Sequence, residues 1–264
     1  MNRRIVSAWL LGGLLLMAEV LILLPGSSYS NQDRNMPMAG ASSQHLAGTD
    51  ALGRDRAVRL SVALLIGVFG SAGAAFLTTA VAAVVGIGSA FLPGWLKSAS
   101  MLIVDVFLAL PWLFLLMMVR ACLPLNTSPW SSVFITFAVL AALGWPACAR
   151  VLCRNTLLLR DAEWMIHARA AGLRRRQMFR YVAPNLLPIL LPQFLLCIPA
   201  FIMAEANLGS IGLGIGEPLP SWGGMLYELN NSALLMHGPW IFLPIALLAL
   251  VLFLLDHLTA ERAR

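Results

Sequence analysis

Six long apolar runs, separated by polar segments, divide the sequence. They cover residues 5–24, 60–92, 101–119, 133–149, 186–204 and 240–255. A helix needs about 20 predominantly apolar residues to cross the hydrocarbon core of a bilayer, and each run is near or above that length. The pattern therefore predicts an all-α membrane protein with about six transmembrane helices.

The composition argues against the usual soluble classes. Hydrophobic residues make up 59% of the 264 residues and charged residues only 11%, whereas an ordinary soluble domain has about 25% charged residues. Too few charges remain to cover a water-facing surface, so a soluble enzyme does not fit. A disordered chain is also excluded, because disorder requires low hydrophobicity and high charge.

The distribution of positive charge predicts the orientation. With six spans, thirteen of the 18 lysines and arginines fall on one side of the membrane. Positive residues accumulate in short cytoplasmic loops, so both termini are predicted to be cytoplasmic. The inner group comprises Arg3, Arg4, Lys97, Arg262, Arg264 and the eight arginines from Arg150 to Arg180, and the outer group comprises Arg34, Arg54, Arg56, Arg59 and Arg120. Nucleic-acid binding is not predicted, because the arginines are not interleaved with aromatic residues.

The basic segment between the fourth and fifth runs contains a candidate docking helix. Asp161 is placed to cap this helix, Glu163 sits in its first turn, and Gly172 is placed to end it. Its small apolar face comprises Trp164, Ala168 and Ala171. Such a helix at the membrane face suits docking into a groove on a partner protein. The alternative is a solvated basic loop.

Two acidic residues lie in or beside the apolar runs. Asp105 is eight residues after Lys97, which places it about 12 Å into its span. An ionisable residue at that depth marks a functional site or a paired one, and an interhelical contact is the alternative. Glu205, at the outer end of the fifth run, is a second candidate, with contact to water as its alternative.

The segment after the fifth run is predicted to be an outer loop. Its closely spaced glycines and prolines favour tight turns over a helix. They are Gly209, Gly212, Gly214, Gly216, Pro218 and Pro220. A nucleotide-binding interpretation of these glycines fails, because they follow a spanning helix and not a strand. Trp222 is either an anchor against a partner or neighbouring span, or a member of the aromatic belt at the membrane interface.

Catalytic, metal and nucleotide sites are not predicted. The four cysteines form no CxxC pair and are expected to be small buried hydrophobes. The four histidines are scattered over both sides of the membrane. Lys97, the one lysine, follows Leu96, so the sequence has no recognisable phosphate-binding loop for ATP. The chain is expected to be non-catalytic.

Four segments together resemble one transporter family. Residues 163–172, with the later Pro184 and Pro188, resemble the cytoplasmic EAA loop of ABC importer permeases. Residues 48–55 resemble the GTDxxGRD stretch of the dipeptide, oligopeptide and nickel permeases. Residues 104–111 and 205–226 are similar to that subfamily's VDVxLAxP helix and SxLGLGxxPPxPSWGxML loop. The EAA triplet falls on residues 166–168, where the family's acidic residue is absent, and Glu163 lies one turn earlier.

The resemblance implies a permease of the type I ABC importer fold. The division would be residues 1–59 for the first transmembrane helix and outer loop, and 60–264 for the core permease domain, with its coupling loop at about 160–183. The coupling residues would be Glu163, Trp164, His167, Ala168, Arg169, Ala171 and Gly172. Asp105 and Glu205 would be candidates for the translocation path, and Gly212, Gly214 and Trp222 for the outer loop.

The same resemblance implies partners and a location. They are a second homologous permease, two cytoplasmic ATPases that use ATP and Mg²⁺, and an extracytoplasmic solute-binding protein, in the lipid of a bacterial inner membrane. The chain itself would bind no cofactor and would carry peptides or a related small solute. The alternative is a stand-alone secondary carrier, which would need coupling-ion groups near mid-membrane and often has inverted repeats.

Overall fold

The computed structural model describes residues 3–25, 27–122, 128–173, 175–230 and 238–260. Within these ranges the regular structure consists of ten α-helices and two short 3-10 helices. The α-helices are α1 (Arg3–Leu23), α2 (Arg56–Ala90), α3 (Gly94–Ala109), α4 (Trp112–Cys122), α5 (Pro129–Arg160), α6 (Glu163–Ala170), α7 (Arg175–Asn185), α8 (Leu187–Ser210), α9 (Trp222–Tyr227) and α10 (Leu243–Ala260). The 3-10 helices are Glu228–Asn230 and Pro239–Phe242.

The helices agree with the predicted all-α membrane fold. Five segments of the described chain are long and apolar enough to cross a membrane: Ile5–Leu23, Arg56–Ala90, Pro129–Arg160, Leu187–Ser210 and Pro239–Thr259. A sixth span results if α3 and α4 are taken together. The predicted count of about six is therefore confirmed, with one of the six broken.

The third apolar run is not the single helix that the sequence predicted. It is divided into α3 and α4, which meet at an angle of 85°. Pro111 is the physical reason, because its ring disfavours helical geometry in the preceding residue. Leu110 accordingly adopts an extended conformation, with φ −82° and ψ 138°.

The core forms around α2, which packs against α1, α5 and α8. Small residues on α2 permit the close approach of α5. A Cβ atom on Gly86, for example, would lie 2.5 Å from the carbonyl oxygen of Ala149. The first helix contacts both α2 and α10, and its Ala18 is buried in the main apolar core. Residues 3–23 are thus packed as part of the bundle.

Two helices extend beyond the length that a membrane requires. α2 has 35 residues and α5 has 32, against the roughly 20 needed to span the hydrocarbon core. Their ends on the basic side are tied together, since Nη1 of Arg160 donates a hydrogen bond of 2.6 Å to the carbonyl oxygen of Ala90. α6 begins three residues after the end of α5, next to these joined ends.

Candidate functional site

The boundaries of α6 match the predicted docking helix at one end only. Gly172, with φ +89°, comes directly after the C-cap residue Ala171, so the helix ends where it was predicted to end. Asp161 does not cap α6. It ends α5 instead, because its N–H donates to the carbonyl oxygen of Leu157, and Ala162 precedes α6 without a side-chain cap. The hydrogen bond from Arg160 holds the pKa of the Asp161 carboxyl below its ordinary value.

The two sides of α6 have different roles. Met165 is fully buried in an inner apolar cluster, which we define as Ile87, Met165, Met178, Val182 and Leu186. Ala168 is half-buried and packs against the same cluster. Ala168 is therefore less exposed than the predicted docking face required. It lies three residues after Met165 and four after Trp164, at the border between the two sides of the helix.

The outward stripe of α6 consists of residues at helical spacing. Trp164, His167 and Ala171 are exposed and lie three and four residues apart. Glu163 is also exposed. Arg169 does not face a partner freely, since its Nη2 donates to the carbonyl oxygen of Arg160 and approaches the Asp161 carboxylate. The stripe is rigidly mounted, because Met165 anchors the same helix in the inner apolar cluster.

An ion pair joins two of the helices that are candidates to cross the membrane. Asp105 on α3 pairs with Arg150 on α5, and Nη2 of Arg150 donates to Oδ2 of Asp105 at 3.2 Å. The side chains are 41% and 54% exposed, respectively. Arg150 is ten residues from the end of α5 at Arg160, or about 15 Å along the helix axis. The sequence identified Asp105, but it assigned Arg150 only to the basic segment that follows the fourth run.

The cost of exposing charge to hydrocarbon argues against a lipid-facing position for this pair. Ionisable side chains at membrane depth face protein or a water-filled space, because exposure to hydrocarbon is costly. The α3–α4 break begins five residues after Asp105. Broken backbone at this depth is tolerated where it is covered by protein or lines a water-filled cavity. The ion pair and the helix break thus both favour a position that faces protein or a water-filled space over one that faces lipid.

Glu205 is buried and does not reach water. It is 1% exposed, on the α8 turn that faces the start of α9. The Ser221 hydroxyl and the backbone N–H groups of Trp222 and Gly223 interact with its carboxylate, although none reaches ordinary hydrogen-bond geometry in the described structure. Glu205 therefore lies buried between α8 and the start of α9, and the alternative of contact with water is wrong.

Trp222 is also an interior residue. It is 0% exposed, so both a contact on the outer surface and a place in the interfacial aromatic belt are wrong. Its indole lies against α2, where a Cβ atom on Gly67 would be 2.5 Å from Nε1 of Trp222. Of the roles considered, the one that fits is an anchor against a neighbouring span.

The glycines of the outer loop serve turns and close backbone contacts. Gly212 has φ +81°, which side chains with a Cβ atom rarely adopt. A Cβ atom on Gly214 would lie 2.5 Å from Cα of Gly209. The loop is thus folded back onto the end of α8, close to Glu205.

A cluster of four charges, three of them buried, lies at the end of the chain's bundle that the sequence predicts to be outer, and the sequence did not predict it. We call Asp50, Arg54, Arg59 and Glu217 the outer charge cluster. Nε of Arg54 lies 2.6 Å from Oδ2 of Asp50, and its Nη1 lies 2.7 Å from Oε2 of Glu217. Nη2 of Arg59 lies 2.9 Å from Oε1 of Glu217. The cluster connects the segment before α2 to the outer loop.

The electrostatics of this cluster stabilise Arg54 in its charged form. Burial lowers the pKa of Arg54, but the hydrogen bonds to Asp50 and Glu217 outweigh burial and raise the pKa above its ordinary value. Two further outer arginines are buried beside the cluster. Arg56 pairs with Glu228 at 3.2 Å, and Arg120 donates to Ser132 and to the carbonyl oxygen of Gly214. The sequence signal for the outer charge cluster was the alternation of acidic and basic residues in 50–59, together with Glu217 in the outer loop.

A metal site is not apparent in the part of the chain that the structure describes. No group of three or more histidine, cysteine or acidic residues there is arranged to hold a metal ion. His45 and Asp55 form a pair at 2.8 Å. Asp55 also accepts from the N–H groups of Ala57 and Val58 at the start of α2, so it serves as a helix cap.

Comparison with known proteins finds one family and a set of curated relatives. The family described as "binding-protein-dependent transport system inner membrane component" matches residues 82–259. The oligopeptide transport system permease protein OppC of Mycobacterium tuberculosis is 32% identical over 95% of this chain and 85% of its own length. The OppC protein of Haemophilus influenzae is 29% identical, with 86% and 71% covered. That of Bacillus subtilis is 30% identical, with 80% and 68% covered.

One solved structure is similar at a lower level. It shows the MetNI methionine ABC transporter in an inward-facing conformation, and the TM-score is 0.49 at 21% sequence identity. The match covers 76% of this chain and 97% of the other.

Proposed function

The chain belongs to the family of binding-protein-dependent transport system inner membrane components, and from this premise we propose that it forms half of a path by which peptides enter the cell. It is a permease subunit of an ABC importer. The observation that supports a peptide cargo is the similarity to oligopeptide permeases over as much as 95% of the chain. These relatives give the stand-alone carrier no support.

The proposed partners follow from this assignment. They are a second, homologous permease, two cytoplasmic ATPases and an extracytoplasmic solute-binding protein. ATP hydrolysis with Mg²⁺ takes place in the ATPases, and this chain is non-catalytic. The exposed stripe of Trp164, His167 and Ala171 supports an ATPase contact, because a small, rigidly mounted helix face fits a groove on a partner.

The proposed mechanism passes motion from α6 to the spanning helices. The inner apolar cluster joins Met165 of α6 to Met178 of α7, to Leu186 at the start of α8 and to Ile87 of α2. A displacement of α6 by the ATPases therefore reaches α2 and α8 through packed side chains. Inward-open and outward-open states alternate because ATP and the loaded binding protein each favour one state.

The coupling role of α6 can be tested with one bulky substitution. Ala171→Trp places an indole on the exposed stripe, where a groove that accepts alanine has no room for it. We expect the ATPases to be lost from the purified complex at normal abundance of this chain. Ala168→Trp, which is directed into the inner apolar cluster, is instead expected to lower abundance.

The control is Ala41→Trp, in an exposed position of the segment before α2. It should leave both abundance and ATPase recovery unchanged. Full ATPase recovery and normal uptake with Ala171→Trp would show that this stripe is not the ATPase contact.

Asp105 and Arg150 are proposed to line the translocation path. Asp105→Asn or Arg150→Gln leaves one charge unpaired at membrane depth. We expect peptide uptake to fall about tenfold for each, the equivalent of about 1.4 kcal/mol. The exchange Asp105→Arg with Arg150→Asp restores the pair and should recover uptake.

The matched control is Asp161→Asn, which removes an exposed carboxylate from an arginine pair outside the spans. It should leave uptake within about twofold of the original protein. If Asp105→Asn behaves like this control, the ion pair has no role in the path.

Both termini are proposed to be cytoplasmic, from the distribution of lysine and arginine. Single cysteines can be placed at Ser43 and Ser98, which are both exposed, after the four native cysteines are replaced by serine. An impermeant thiol reagent is expected to label Ser43→Cys in intact cells. It should label Ser98→Cys only after permeabilisation, and the reverse pattern would invert the topology.

A further inference from the structure

Two of the four cysteines meet inside the helix bundle. Cys148 on α5 and Cys197 on α8 are 49 residues apart, and their Sγ atoms lie 3.8 Å from each other. Both are free thiols and only half-buried. Cys153 is buried and Cys122 is exposed. The expectation that the cysteines are merely small buried hydrophobes is thus incomplete for this pair.

The pair is accessible from a cavity. A space of about 260 Å³ is lined by both cysteines, by Leu110 and Trp112 at the α3–α4 break, and by Gly144 and Ala200. Its walls are mainly apolar, so a small uncharged molecule can enter more readily than an ion. The two thiols therefore share an environment in which a neutral oxidant can reach them.

The local backbone allows the sulfurs to come closer. A disulfide has a sulfur–sulfur distance of about 2.05 Å, so the atoms must approach by somewhat less than 2 Å. Pro146 lies two residues before Cys148, and Pro199 lies two residues after Cys197, each inside its helix. A proline removes one helical hydrogen bond and permits a kink, so both helices can adjust near the thiols.

We propose that Cys148 and Cys197 are an oxidative modification site, at which a small peroxide produces a reversible disulfide that joins α5 to α8 and stops transport. Hydrogen peroxide first oxidises one thiol to a sulfenic acid and leaves as water. The second thiol then attacks the sulfenic sulfur, the S–S bond forms, and a second water leaves. Two thiols lose two electrons and two protons, and one peroxide becomes two waters. A dithiol reductant reverses the bond by thiol–disulfide exchange.

The inhibition rests on the proposed function, because a link between α5 and α8 stops transport only if these helices move relative to each other during import. In a cytosol-facing membrane protein such a bond is expected to be transient, since cellular thiols reduce it. The disulfide therefore acts as a reversible lock and not as a permanent brace.

The test uses the complete importer in proteoliposomes, with Cys122→Ser and Cys153→Ser in this chain so that the pair alone remains. Hydrogen peroxide is added, and the proteolysed chain is examined by mass spectrometry. We expect a peptide pair joined through Cys148 and Cys197, a loss of ATP-driven tripeptide uptake, and recovery of both on addition of dithiothreitol. Variants with Cys148→Ser or Cys197→Ser should keep their uptake under the same peroxide.

Two outcomes would overturn the proposal. One is the absence of the linkage at a peroxide concentration that oxidises Cys122 in the native chain. The other is complete formation of the disulfide with unchanged uptake. That result would show that the disulfide does not inhibit transport, and it would leave the proposed peptide import unaffected. Failure of the untreated importer to move peptide would instead count against the proposed function, and the mass of the linked peptides would still decide whether the disulfide forms.

Discussion

Trp222→Ala is expected to reduce the free energy of unfolding by about 3–5 kcal/mol. The indole is fully buried and fills the space over Gly67 between α2 and α9. Removal leaves a cavity whose lining loses its packing contacts, and α9 is too short to close it. Denaturant unfolding in detergent, followed by circular dichroism, measures the change.

The matched control for this substitution is Trp130→Ala, because Trp130 is 65% exposed. It removes an equally large side chain without opening an interior cavity, and its effect should be less than about 1 kcal/mol. Equal losses from the two substitutions would contradict the interior position of Trp222. Equal losses would indicate that Trp222 lies at the surface.

Arg54→Met is expected to cost about 3–5 kcal/mol, because it breaks a buried ion pair. Arg54 is the closest cationic partner of Asp50, at 2.6 Å, and both side chains are almost completely buried. Methionine retains most of the volume but leaves the Asp50 carboxylate with less compensation for its burial. Unfolding in detergent again gives the free energy, and the purified complex reports whether the outer loop still supports assembly.

Two further substitutions serve as controls for the loss of stability expected from Arg54→Met. Arg34→Met removes an exposed arginine from the same outer segment and should have almost no effect. Glu217→Gln removes the member of the outer charge cluster whose side chain is 60% exposed, so it should cost at most about 1 kcal/mol. A loss for Arg54→Met no larger than that for Glu217→Gln would show that the cluster does not hold the segment before α2 to the outer loop.

The number of spans could be predicted from the sequence because a bilayer requires a minimum length of apolar residues. The angle between α3 and α4 could not. Pro111 was visible in the third run, but a proline within a span can produce a kink or a complete break. Packing of both halves against α5 determines which of these occurs.

The position of α6 was also predictable, whereas the side on which it packs was not. Gly172 predicted where α6 ends, since a residue of left-handed conformation there favours glycine. The inward position of Ala168 depends on Ile87, Met178 and Leu186, which come from three other parts of the chain. Local spacing cannot identify such distant contacts.

The arginines of the predicted outer segments have structural roles that the rule for orientation does not consider. The orientation was predicted by treating each arginine as a charge in water. Arg54, Arg56, Arg59 and Arg120 are all buried. The first three pair with carboxylates, and Arg120 donates hydrogen bonds to Ser132 and to the carbonyl oxygen of Gly214. Arg34 remains exposed. The contacts of the four buried arginines could be recognised only from the folded positions of Glu217, Glu228 and Gly214.

The central claim is that this chain moves peptides only as part of an ATP-driven importer. The direct test is uptake of a radiolabelled tripeptide by proteoliposomes that contain this chain, its second permease and the two ATPases, with the solute-binding protein outside. Uptake should require both ATP inside the vesicles and the binding protein, and vesicles with this chain alone should take up nothing under a proton or sodium gradient. Gradient-driven uptake by the chain alone, with no response of the full complex to ATP, would contradict the account.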